Sequence, residues 1–268
     1  MKSSAKNISL TPLDDLFSTE EERSKDVVGT IVNIPLTQLH DFPNHPFKVR
    51  DDEKMQETVE SVKAYGVLVP AIVRQRTDGE YEIVSGHRRK RASELAGLSE
   101  LPAIVRDLDD DAATIIMVDS NLQRENILPS ERAKAYQMKL EAIRHQGERR
   151  DLTCGQVGHK LDQKKTRDII AEDAGDSPRN FQRFIRLNSL EQPLMDKVDS
   201  GDLAFTPAVE LSYLKPKEQE WVLSALETTQ QTPSLSQAQR IKQESKEGRL
   251  TAESVLGILS EEKKPLLM

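Results

Sequence analysis

The sequence predicts an α+β N-terminal domain followed by an all-α domain that contains a helix-turn-helix. Up to about residue 106, short β-branched runs alternate with segments of helical periodicity. From residue 109 onward nearly every segment has helical spacing, with Pro or Gly at its boundaries. The length of 268 residues is also closer to two domains than to one, because a domain has on the order of 150 residues.

The composition excludes several classes of protein. Charged residues make up 31% of the chain, the net charge is −7 and the mean hydropathy is −0.60. No uncharged apolar run approaches the ~20 residues that a membrane-spanning helix needs, and the N-terminus lacks the apolar stretch of a signal peptide. The single cysteine, Cys154, excludes internal disulfides and multi-cysteine zinc sites. Aromatic residues make up only 4%, too few for the stacking platforms of single-strand binders. We therefore expect a cytoplasmic protein that makes no contact with membranes.

The N-terminal half begins with a polar segment and continues with strand and helix signals. Residues 1–26 are polar and mixed in charge, which is typical of a disordered tail. A β-hairpin is predicted where two β-type runs flank the turn residues Asp78-Gly79. In order, the expected elements are a strand at Val28–Ile34, an irregular stretch at 40–50, a helix from Asp51 to Gly66, hairpin strands at Ala71–Arg74 and Tyr81–Val84, a helix from Gly86 to Gly97 and a strand at Leu101–Val105.

The remainder of the chain is predicted to be helical, with prolines and glycines separating the helices. Helices are expected at 109–122, from Pro129 to about Gln146, at 166–174, from Ser177, and at 191–200, 207–228 and 235–260, with a Gly-, Lys- and Asp-rich loop at 147–165. These boundaries divide the chain into a tail (1–26), an N-terminal domain (27–128), a helical domain (129–228) with the helix-turn-helix at 166–190, and a C-terminal helical segment (229–268).

A basic segment, Gly86-His87-Arg88-Arg89-Lys90-Arg91-Ala92, lies where a strand passes into a helix. Its four positive charges oppose the helix dipole, which favours anions at a helix N-terminus by about 0.3–1 kcal/mol per charge. A bound anion would resolve this, because helix N–H groups and arginine side chains form a phosphate cradle that Gly86 leaves accessible. The alternative is a solvated basic helix whose charges pair with Glu94 or with acids elsewhere, and the residues alone do not choose between the two.

A second polar segment, Asp119 to Asn126, ends a helix just before Pro129. Asp119 and Asn121 offer hard oxygen ligands for a magnesium ion that bridges phosphates, and Arg124 can add a phosphate contact. The alternative is a polar helix C-terminus without a ligand.

The third feature is the helix-turn-helix. Thr166 is predicted to cap the first helix, Gly175 to form the turn, and Ser177 to cap the second helix, with Pro178 at its first position. No acidic residue occurs between Ser177 and Asn188, and the arginines lie on one helix face. Such a face suits reading the major groove of DNA, and the alternative is a helical hairpin with solvated arginines. The candidate DNA-binding residues are Thr166, Ser177, Arg179, Asn180, Gln182, Arg183 and Arg186, with Arg179, Asn180 and Arg183 nearest to the base edges and Arg186 nearer to the phosphates.

These segments together resemble a known family. In order, GHRRKRASELAG (86–97), LPAIVRD (101–107) and DSNLQREN (119–126), followed by the helix-turn-helix, resemble the ParB-type DNA-partition family, which includes KorB and Noc relatives. Residues 86–92 are similar to the family motif G-E-R-R-x-R-A, residues 120–124 to E-N-x-Q-R, and residues 66–72 to the G-x-x-x-P-I region. The resemblance covers about residues 28–215.

The resemblance implies a CTP-dependent DNA clamp with a ParB/sulfiredoxin-like N-terminal domain. That domain would bind CTP with magnesium, and the helix-turn-helix would read a palindromic double-stranded site. The clamp would act as a homodimer in plasmid, mobile-element or chromosome partition, with a ParA-type ATPase as partner and a nucleoid or plasmid location. The implied nucleotide-binding residues are Gly66, Pro70, Gly86, His87, Arg88, Arg89, Arg91, Asn121 and Arg124, of which Asn121 would also hold the magnesium.

Two positions depart from the family pattern. His87 replaces a glutamate in the first motif, and Ser120 replaces the glutamate before Asn121 in the second. The resemblance ties that second glutamate to CTP hydrolysis. Because a serine cannot orient a water as a carboxylate does, we expect a weak CTPase at most.

Two alternative functions stay open at this point. One is a transcriptional regulator that binds DNA through the helix-turn-helix without a nucleotide switch. The other is a nucleotide-dependent small-molecule kinase, because free-serine kinases resemble ParB-like domains in their N-terminal fold. Sulfiredoxin chemistry is disfavoured, since it needs a reactive cysteine in the phosphate motif, where Ser85 and His87 stand in this sequence.

Overall fold

The computed structural model describes residues 29–124, 127–153 and 163–261, and for 147–153 and 163–166 it describes the backbone alone. The packing of the chain divides it into two compact units. The N-terminal unit ends at Asp109 and leaves out residues 44–48, which belong with the helical unit that begins at Asp110. The predicted disordered tail, residues 1–26, lies outside the described residues.

Within the described residues, a five-stranded mixed sheet forms the frame of the N-terminal unit. Its strands lie in the order β1-β5-β3-β4-β2, where β1 is Ile31–Pro35, β2 is Leu39–His40, β3 is Ala71–Gln75, β4 is Tyr81–Ser85 and β5 is Glu100–Val105. β3 pairs in parallel with β5 and antiparallel with β4, whereas β1 is antiparallel to β5 and β2 is parallel to β4. The two-residue strand β2 lies at the start of the stretch that was predicted to be irregular, and a short 3-10 helix joins it to β1.

The β3–β4 hairpin forms where its turn residues predict it. Gly79 adopts φ +88°, and the Asp78 side chain accepts a hydrogen bond from the Glu80 backbone N–H at 3.1 Å. Alternating residues of β3, β4 and β5 build one apolar face, because side chains on a strand point to opposite sides in turn. The fully buried members of this face are Ala71, Val73, Ile83, Leu101 and Ala103.

Two helices, α1 (Glu53–Tyr65) and α2 (His87–Ala96), pack against each other in the N-terminal unit. Met55 and Ala92 have no exposed surface, and Val62 is buried beside them. The side chain of Asp52 caps α1 by accepting a hydrogen bond from the Met55 N–H at 2.8 Å. Both helices therefore begin and end close to the predicted boundaries.

The helical unit is built around one long central helix. Its described helices are α3 (Asp110–Leu122), α4 (Pro129–Thr153), α5 (Gln163–Asp173), α6 (Pro178–Leu187), α7 (Gln192–Asp199), α8 (Phe205–Leu211), α9 (Pro216–Thr229), α10 (Leu235–Lys246) and α11 (Ala252–Ser260). The central helix α4 packs against α3, α5, α6 and α7. Tyr136 on α4 has no exposed surface, and its ring lies 4.9 Å from that of Phe181 and 5.8 Å from that of Phe184. These aromatic contacts hold α6 against α4.

The prediction of a loop at 147–165 is wrong at both ends of that segment. Residues 147–153 continue α4, and α5 begins at Gln163, while residues 154–162 lie outside the described residues. The glutamate, arginines and leucine of 147–153 favour a helix, and the single Gly147 costs only about 1 kcal/mol in a helix interior. Thr166 consequently lies inside α5 and is not its N-terminal cap.

Two long predicted helices each form as a pair. The segment 207–228 divides into α8 and α9, because Pro216 occupies a first helical position and begins a new helix. The segment 235–260 divides into α10 and α11, between which Gly248 adopts φ +71°. None of the described helices is both long and apolar enough to span a membrane.

The helices near the C-terminus complete the core of the helical unit. α10 packs against α8, and α11 packs against α9. Gln237 on α10 is buried and donates a hydrogen bond to the Ile258 carbonyl on α11 at 2.8 Å. Ile241 and Val255 have no exposed surface. The compact units thus divide at 109/110, whereas the predicted boundaries at 128/129 and 228/229 lie within the helical unit, since α3 packs against α4.

Candidate functional site

The start of α2 depends on a glycine. Gly86 precedes the helix with φ +120° and ψ 17°, a backbone conformation that residues with a side chain rarely adopt. A Cβ atom at this position would lie 2.9 Å from Cβ of Ala71 and 3.3 Å from Cζ of Arg89. Because glycine has no side chain, the first turn of α2 receives no side-chain cap. An uncapped helix N-terminus directly after a strand is a geometry that phosphate sites use.

Carboxylates from other parts of the N-terminal unit pair with most of the basic side chains at this helix start. The ion pairs join Arg88 to Asp52 at 3.3 Å, Lys90 to Asp41 at 2.9 Å, and Arg91 to Asp51 at 2.7 Å. The hydrogen bond from Arg91 holds the pKa of the Asp51 carboxyl below its ordinary value.

These ion pairs agree with the alternative interpretation of the basic segment, in which its charges pair with acidic residues. The charges of Arg88, Lys90 and Arg91 are balanced by carboxylates, so these three side chains do not require an anion there. The same pairs do not prevent phosphate binding, because exposed ion pairs contribute only about 0–1 kcal/mol each. A phosphate can therefore replace Asp51 or Asp52 as the partner of an arginine at small cost.

Arg89 has a different set of contacts from its neighbours. Its Nη1 donates hydrogen bonds to the carbonyl oxygens of Val69 at 2.8 Å and Pro70 at 2.5 Å. Burial lowers the pKa of its guanidinium from the ordinary value. Arg89 thereby ties the segment from Gly66 to Pro70 to the start of α2. The structure brings three predicted nucleotide-binding residues together here: Pro70, Gly86 and Arg89.

His87 lies in the interior of the N-terminal unit. Its side chain is buried, and its Nε2 accepts a hydrogen bond from the Phe42 backbone N–H at 3.5 Å. His87 was predicted to bind nucleotide, but its side chain is buried and is not presented at the surface. The contact instead fastens α2 to the segment that follows β2.

The segment 119–124 belongs to the helical unit, and side chains of this segment form hydrogen bonds within that unit. Lys139 on α4 is almost fully buried, and its Nζ donates to a carboxylate oxygen of Asp119 at 2.6 Å. The Ser120 hydroxyl donates to the Met117 carbonyl at 3.0 Å, and the buried Asn121 amide donates to the same carbonyl at 2.8 Å. Asn121 and Arg124 therefore lie in a different compact unit from Gly66, Pro70, Gly86, His87, Arg88, Arg89 and Arg91.

The described residues do not form a metal site by themselves. Among them there is no group of three or more His, Cys, Asp or Glu side chains that could hold a metal ion. Asn121 turns its amide toward the Met117 carbonyl, and Asp119 is neutralised by Lys139. These side chains do not fit a protein-only magnesium centre. A magnesium ion held chiefly by nucleotide phosphates and waters has no such requirement.

The helices α5 and α6 are joined by a short turn whose residues have the predicted roles. Gly175 adopts φ +69°, and the Asp176 N–H donates to the Ala171 carbonyl at 2.8 Å. The Ser177 hydroxyl caps α6 by accepting from the Asn180 N–H at 3.2 Å, and Pro178 occupies the first turn. On the inner face of α6, the side chains of Phe181, Phe184 and Leu187 are buried.

The polar face of α6 is divided between exposed and engaged side chains. Arg179 and Gln182 are exposed. Arg183 is half-buried, and its Nη2 donates to the Thr206 hydroxyl at 2.7 Å while its Cζ lies 4.7 Å from the centroid of the Phe205 ring.

Arg186 is engaged in a similar way at the other end of α8. Its Nη2 donates to the Ser212 carbonyl at 2.6 Å, and its Cζ lies 4.2 Å from the centroid of the Tyr213 ring. Arg183 thus binds α8 and Arg186 binds the residues directly after it, whereas Arg179 and Gln182 are exposed.

Sequence reasoning missed several residues that shape these two regions. Their contacts come from other elements, so that local spacing gave no signal for them. Asp176 is the one with a local cue, since it directly precedes the Ser177 cap, where the helix dipole favours an acid. The others are Asp41, Asp51 and Asp52 at the start of α2, and Arg132, Tyr136, Thr206 and Ser212 around α6.

The architecture is that of a mixed-sheet unit with an uncapped helix start, followed by a helical unit that contains a paired-helix turn. Comparison with known proteins agrees with this class. Residues 20–122 match the family model of the ParB N-terminal domain. The chain is 30% identical over 213 residues to the chromosome-partitioning protein Spo0J of Thermus thermophilus, covering 80% of this chain and 70% of that protein.

Two further relatives carry related descriptions. Stage 0 sporulation protein J of Bacillus subtilis is 35% identical over 188 residues, covering 70% of this chain and 59% of that protein. A nucleoid occlusion protein of Listeria monocytogenes is 29% identical over 224 residues, covering 80% and 70% respectively. The chain belongs to the ParB family, which confirms the resemblance of its motifs and the predicted fold class.

Solved structures are also similar. The C-terminally truncated chromosome-partitioning protein ParB from Caulobacter crescentus, complexed to the centromeric parS site, matches with a TM-score of 0.47 and 24% identity, over 85% of this chain and 98% of that one. The same protein complexed with CTP-gamma-S matches with a TM-score of 0.34 and 29% identity, over 69% and 92%.

Proposed function

We propose that this chain is a sequence-specific DNA-binding protein of chromosome, plasmid or mobile-element partition, and that its N-terminal unit binds CTP. The observation that carries the proposal is the outer face of α6. This face is free of acidic residues from Pro178 to Leu187 and presents Arg179 and Gln182 outward, in a chain of the ParB family. Relatives named for chromosome partitioning and nucleoid occlusion support the same role.

The DNA-binding part of the proposal rests on charge and shape. An α-helix fits the major groove of B-DNA, and the N-terminal residues of the second helix in a helix-turn-helix reach the base edges. Ser177 and Pro178 set the direction of α6, so that Arg179, Asn180 and Gln182 stand in its first turns. A net charge of −7 makes non-specific attraction weak, and a local basic face is then needed for binding.

Selection of binding sites from a random duplex pool tests this part directly. We expect a recovered palindromic motif and an affinity for it that falls steeply with salt, by a slope of about 0.9 per phosphate contact on logarithmic axes. A duplex of scrambled sequence is the control. If selection enriches no motif, the protein is not a sequence-specific DNA binder and the proposal is wrong.

The nucleotide part of the proposal rests on the N-terminal unit. Gly86 leaves the first turn of α2 uncapped, and Arg88 and Arg91 stand beside it in pairs that a phosphate can replace. Arg89 holds the carbonyls of Val69 and Pro70 beside the same turn. We propose that Gly86, Arg88 and Arg91 bind the phosphates of CTP, with magnesium carried by those phosphates.

Calorimetric titration of the full chain with CTP, ATP, GTP and UTP in magnesium tests this part. We expect a preference for CTP and at least about tenfold weaker binding by Arg88→Ala, since a hydrogen bond to a charged group contributes about 1.5–3 kcal/mol. Arg76→Ala is the matched control, because Arg76 lies in the β3–β4 turn and pairs with Asp78. Equal binding of all four nucleotides, or equal loss in the two variants, would contradict the assignment.

The family suggests further properties that we include in the proposal: a homodimeric clamp, a ParA-type ATPase as partner and slow CTP turnover. Slow turnover has local support, because the Ser120 hydroxyl is bound to the Met117 carbonyl and Asp119 is paired with Lys139. The Ser120 hydroxyl hydrogen and one oxygen of Asp119 are thereby engaged. Phosphate release that DNA accelerates to a rapid rate would contradict this point.

A second candidate is a regulator that binds DNA without nucleotide. The ion pairs of Arg88, Lys90 and Arg91 favour it, since they balance the basic segment internally. The two candidates differ in the calorimetric titration, where the regulator shows no heat with any nucleotide and retains its DNA motif.

A further inference from the structure

Asp176 occupies a central position between three elements of the helical unit. It lies in the turn between α5 and α6, and its side chain is only 13% exposed. Its carboxylate accepts hydrogen bonds from the Tyr136 hydroxyl and from Arg132 Nη1 at 3.4 Å, both on α4. It also accepts from Asn180 Nδ2 on α6 at 2.8 Å. One side chain therefore connects the core helix to a predicted DNA-reading residue.

The side-chain contacts of the Asp176 carboxylate are all with hydrogen-bond donors. One of these donors, Arg132, carries a positive charge. The N-terminus of α6 adds the favourable end of a helix dipole. Burial raises the pKa of the Tyr136 hydroxyl above its ordinary value, with the bond to Asp176 adding to the effect, so the phenol stays protonated and remains a donor at neutral pH.

The Asp176 carboxylate, which accepts from Asn180 Nδ2, holds the Asn180 amide in only one orientation. A carboxylate accepts hydrogen bonds and donates none, so the amide must present its NH2 group to it. The reverse orientation would bring two acceptor oxygens together. The second N–H of Asn180 and its Oδ1 are then fixed in one plane, as a donor and acceptor pair. An adenine edge in the major groove is recognised by such a pair, with the oxygen on N6 and the nitrogen on N7.

We propose that Asp176 is a positioning residue that determines base preference by fixing the amide orientation of Asn180. The inference rests on the proposed function, in which α6 reads DNA. In this inference a half-buried acid in the turn controls one base pair of the site through Asn180. A merely structural Asp176 would instead support α6 as a whole and affect all positions alike.

The experiment uses the full chain and the site recovered by selection. Every single base-pair substitution of that site is titrated with wild type, Asp176→Asn, Asn180→Ala and the double variant at one salt concentration. Asp173→Asn is the matched control, because Asp173 ends α5, carries the same charge and pairs with Lys139 instead of Asn180. A scrambled duplex measures the non-specific affinity of each variant.

Asparagine at position 176 can donate as well as accept, so it allows the Asn180 amide to turn over. We expect Asp176→Asn to lose about 5- to 150-fold of discrimination at one base pair, the range of one bidentate contact. Asn180→Ala should lose discrimination at the same base pair, and the double variant should lose no more than Asn180→Ala. Scrambled-duplex affinity should change equally in Asp176→Asn and Asp173→Asn, because both remove one negative charge.

Three outcomes would overturn the inference. In the first, Asp176→Asn keeps the wild-type discrimination at every base pair. In the second, it weakens all positions alike. In the third, Asn180→Ala affects a different base pair. If wild type recovers no motif, the proposed function and this inference are wrong together, whereas an unchanged profile on a genuine motif overturns the inference alone.

If Asp176→Asn does not melt cooperatively, Tyr136→Phe is used in its place. This change removes one donor to Asp176 and keeps the carboxylate. The expected result is a smaller loss at the same base pair, and a uniform loss would overturn the inference.

Discussion

Gly86 and Gly79 both have positive φ angles, but their surroundings differ. A Cβ atom on Gly86 would meet Ala71 at 2.9 Å, whereas no atom lies within 4 Å of the corresponding position on Gly79. Gly86 is therefore constrained twice, by its backbone conformation and by the close approach of β3. Gly79 is constrained by its conformation alone.

We expect Gly86→Ala to lower the local unfolding free energy of the sheet by about 2–5 kcal/mol. About 1–2 kcal/mol comes from the left-handed conformation, and about 1–3 kcal/mol from overpacking against Ala71. Gly79→Ala, the matched control, should lose only the first part. Hydrogen exchange of the β3 and β4 amides measures both, and equal losses in the two variants would show that the contact with Ala71 has no energetic weight.

The residues at the start of α2 show why part of a site escapes prediction. Arg88 and Arg91 are visible in the sequence as members of a motif. Their partners Asp51 and Asp52 come from the N-terminal end of α1, which only the packing of α1 on α2 brings close. A motif alone does not reveal carboxylates that another helix brings beside it, such as those of Asp51 and Asp52.

At the scale of elements, α6 has an outer face and a face that binds α8. Arg179 belongs to the outer face, while Arg183 stacks on Phe205 and bonds Thr206. Both were predicted to reach the base edges. The structure indicates that Arg183 also connects α6 to α8, so the two arginines contribute differently to stability.

Alanine substitution of these two arginines separates the contributions. We expect Arg179→Ala to change the free energy of unfolding by less than about 0.5 kcal/mol and to weaken DNA binding. Arg183→Ala should lower the free energy of unfolding by about 1–2 kcal/mol, because it loses a hydrogen bond and a cation–π contact. Urea unfolding followed by fluorescence of Trp221 on α9, together with DNA titration, measures both. A larger stability loss in Arg179→Ala would reverse the assignment of faces.

Local chemistry predicted the elements whose ends carry strong signals. Asp78-Gly79 fixed the hairpin, and Ser177-Pro178 fixed the start of α6. The two-residue strand β2 was not predicted, because it exists only through its pairing with β4. The extension of α4 through Gly147 was also missed, since the cost of one glycine is small against a long packed helix.

At the scale of the whole molecule, the helical unit extends through α11. Ile241 on α10 is fully buried, whereas Leu235 on the same helix is 41% exposed. If α10 and α11 formed an independent segment, truncating Ile241 would leave the rest of the unit unaffected. The packing of α10 on α8 leads to the opposite expectation.

We expect Ile241→Ala to lower the free energy of unfolding of the helical unit by about 2–5 kcal/mol, the usual range for such a cavity. Leu235→Ala should lower it by less than about 1 kcal/mol. Trp221 on α9 reports the transition in both variants. An unshifted Trp221 transition in Ile241→Ala would mean that the C-terminal helices are energetically separate from the rest of the helical unit.

The position of β5 in the sheet has a consequence for synthesis on the ribosome. β5 is the last strand of the N-terminal unit in chain order, yet it lies between β1 and β3. β3 and β4 can form a hairpin as soon as they emerge, but β1 has no neighbour until residues 100–105 have left the exit tunnel. Until then the edges of β1 and β3 are unpaired and expose apolar surface. A translational pause after the hairpin has emerged, but before residues 100–105 have left the tunnel, would therefore prolong the stage at which these edges of β1 and β3 are unpaired.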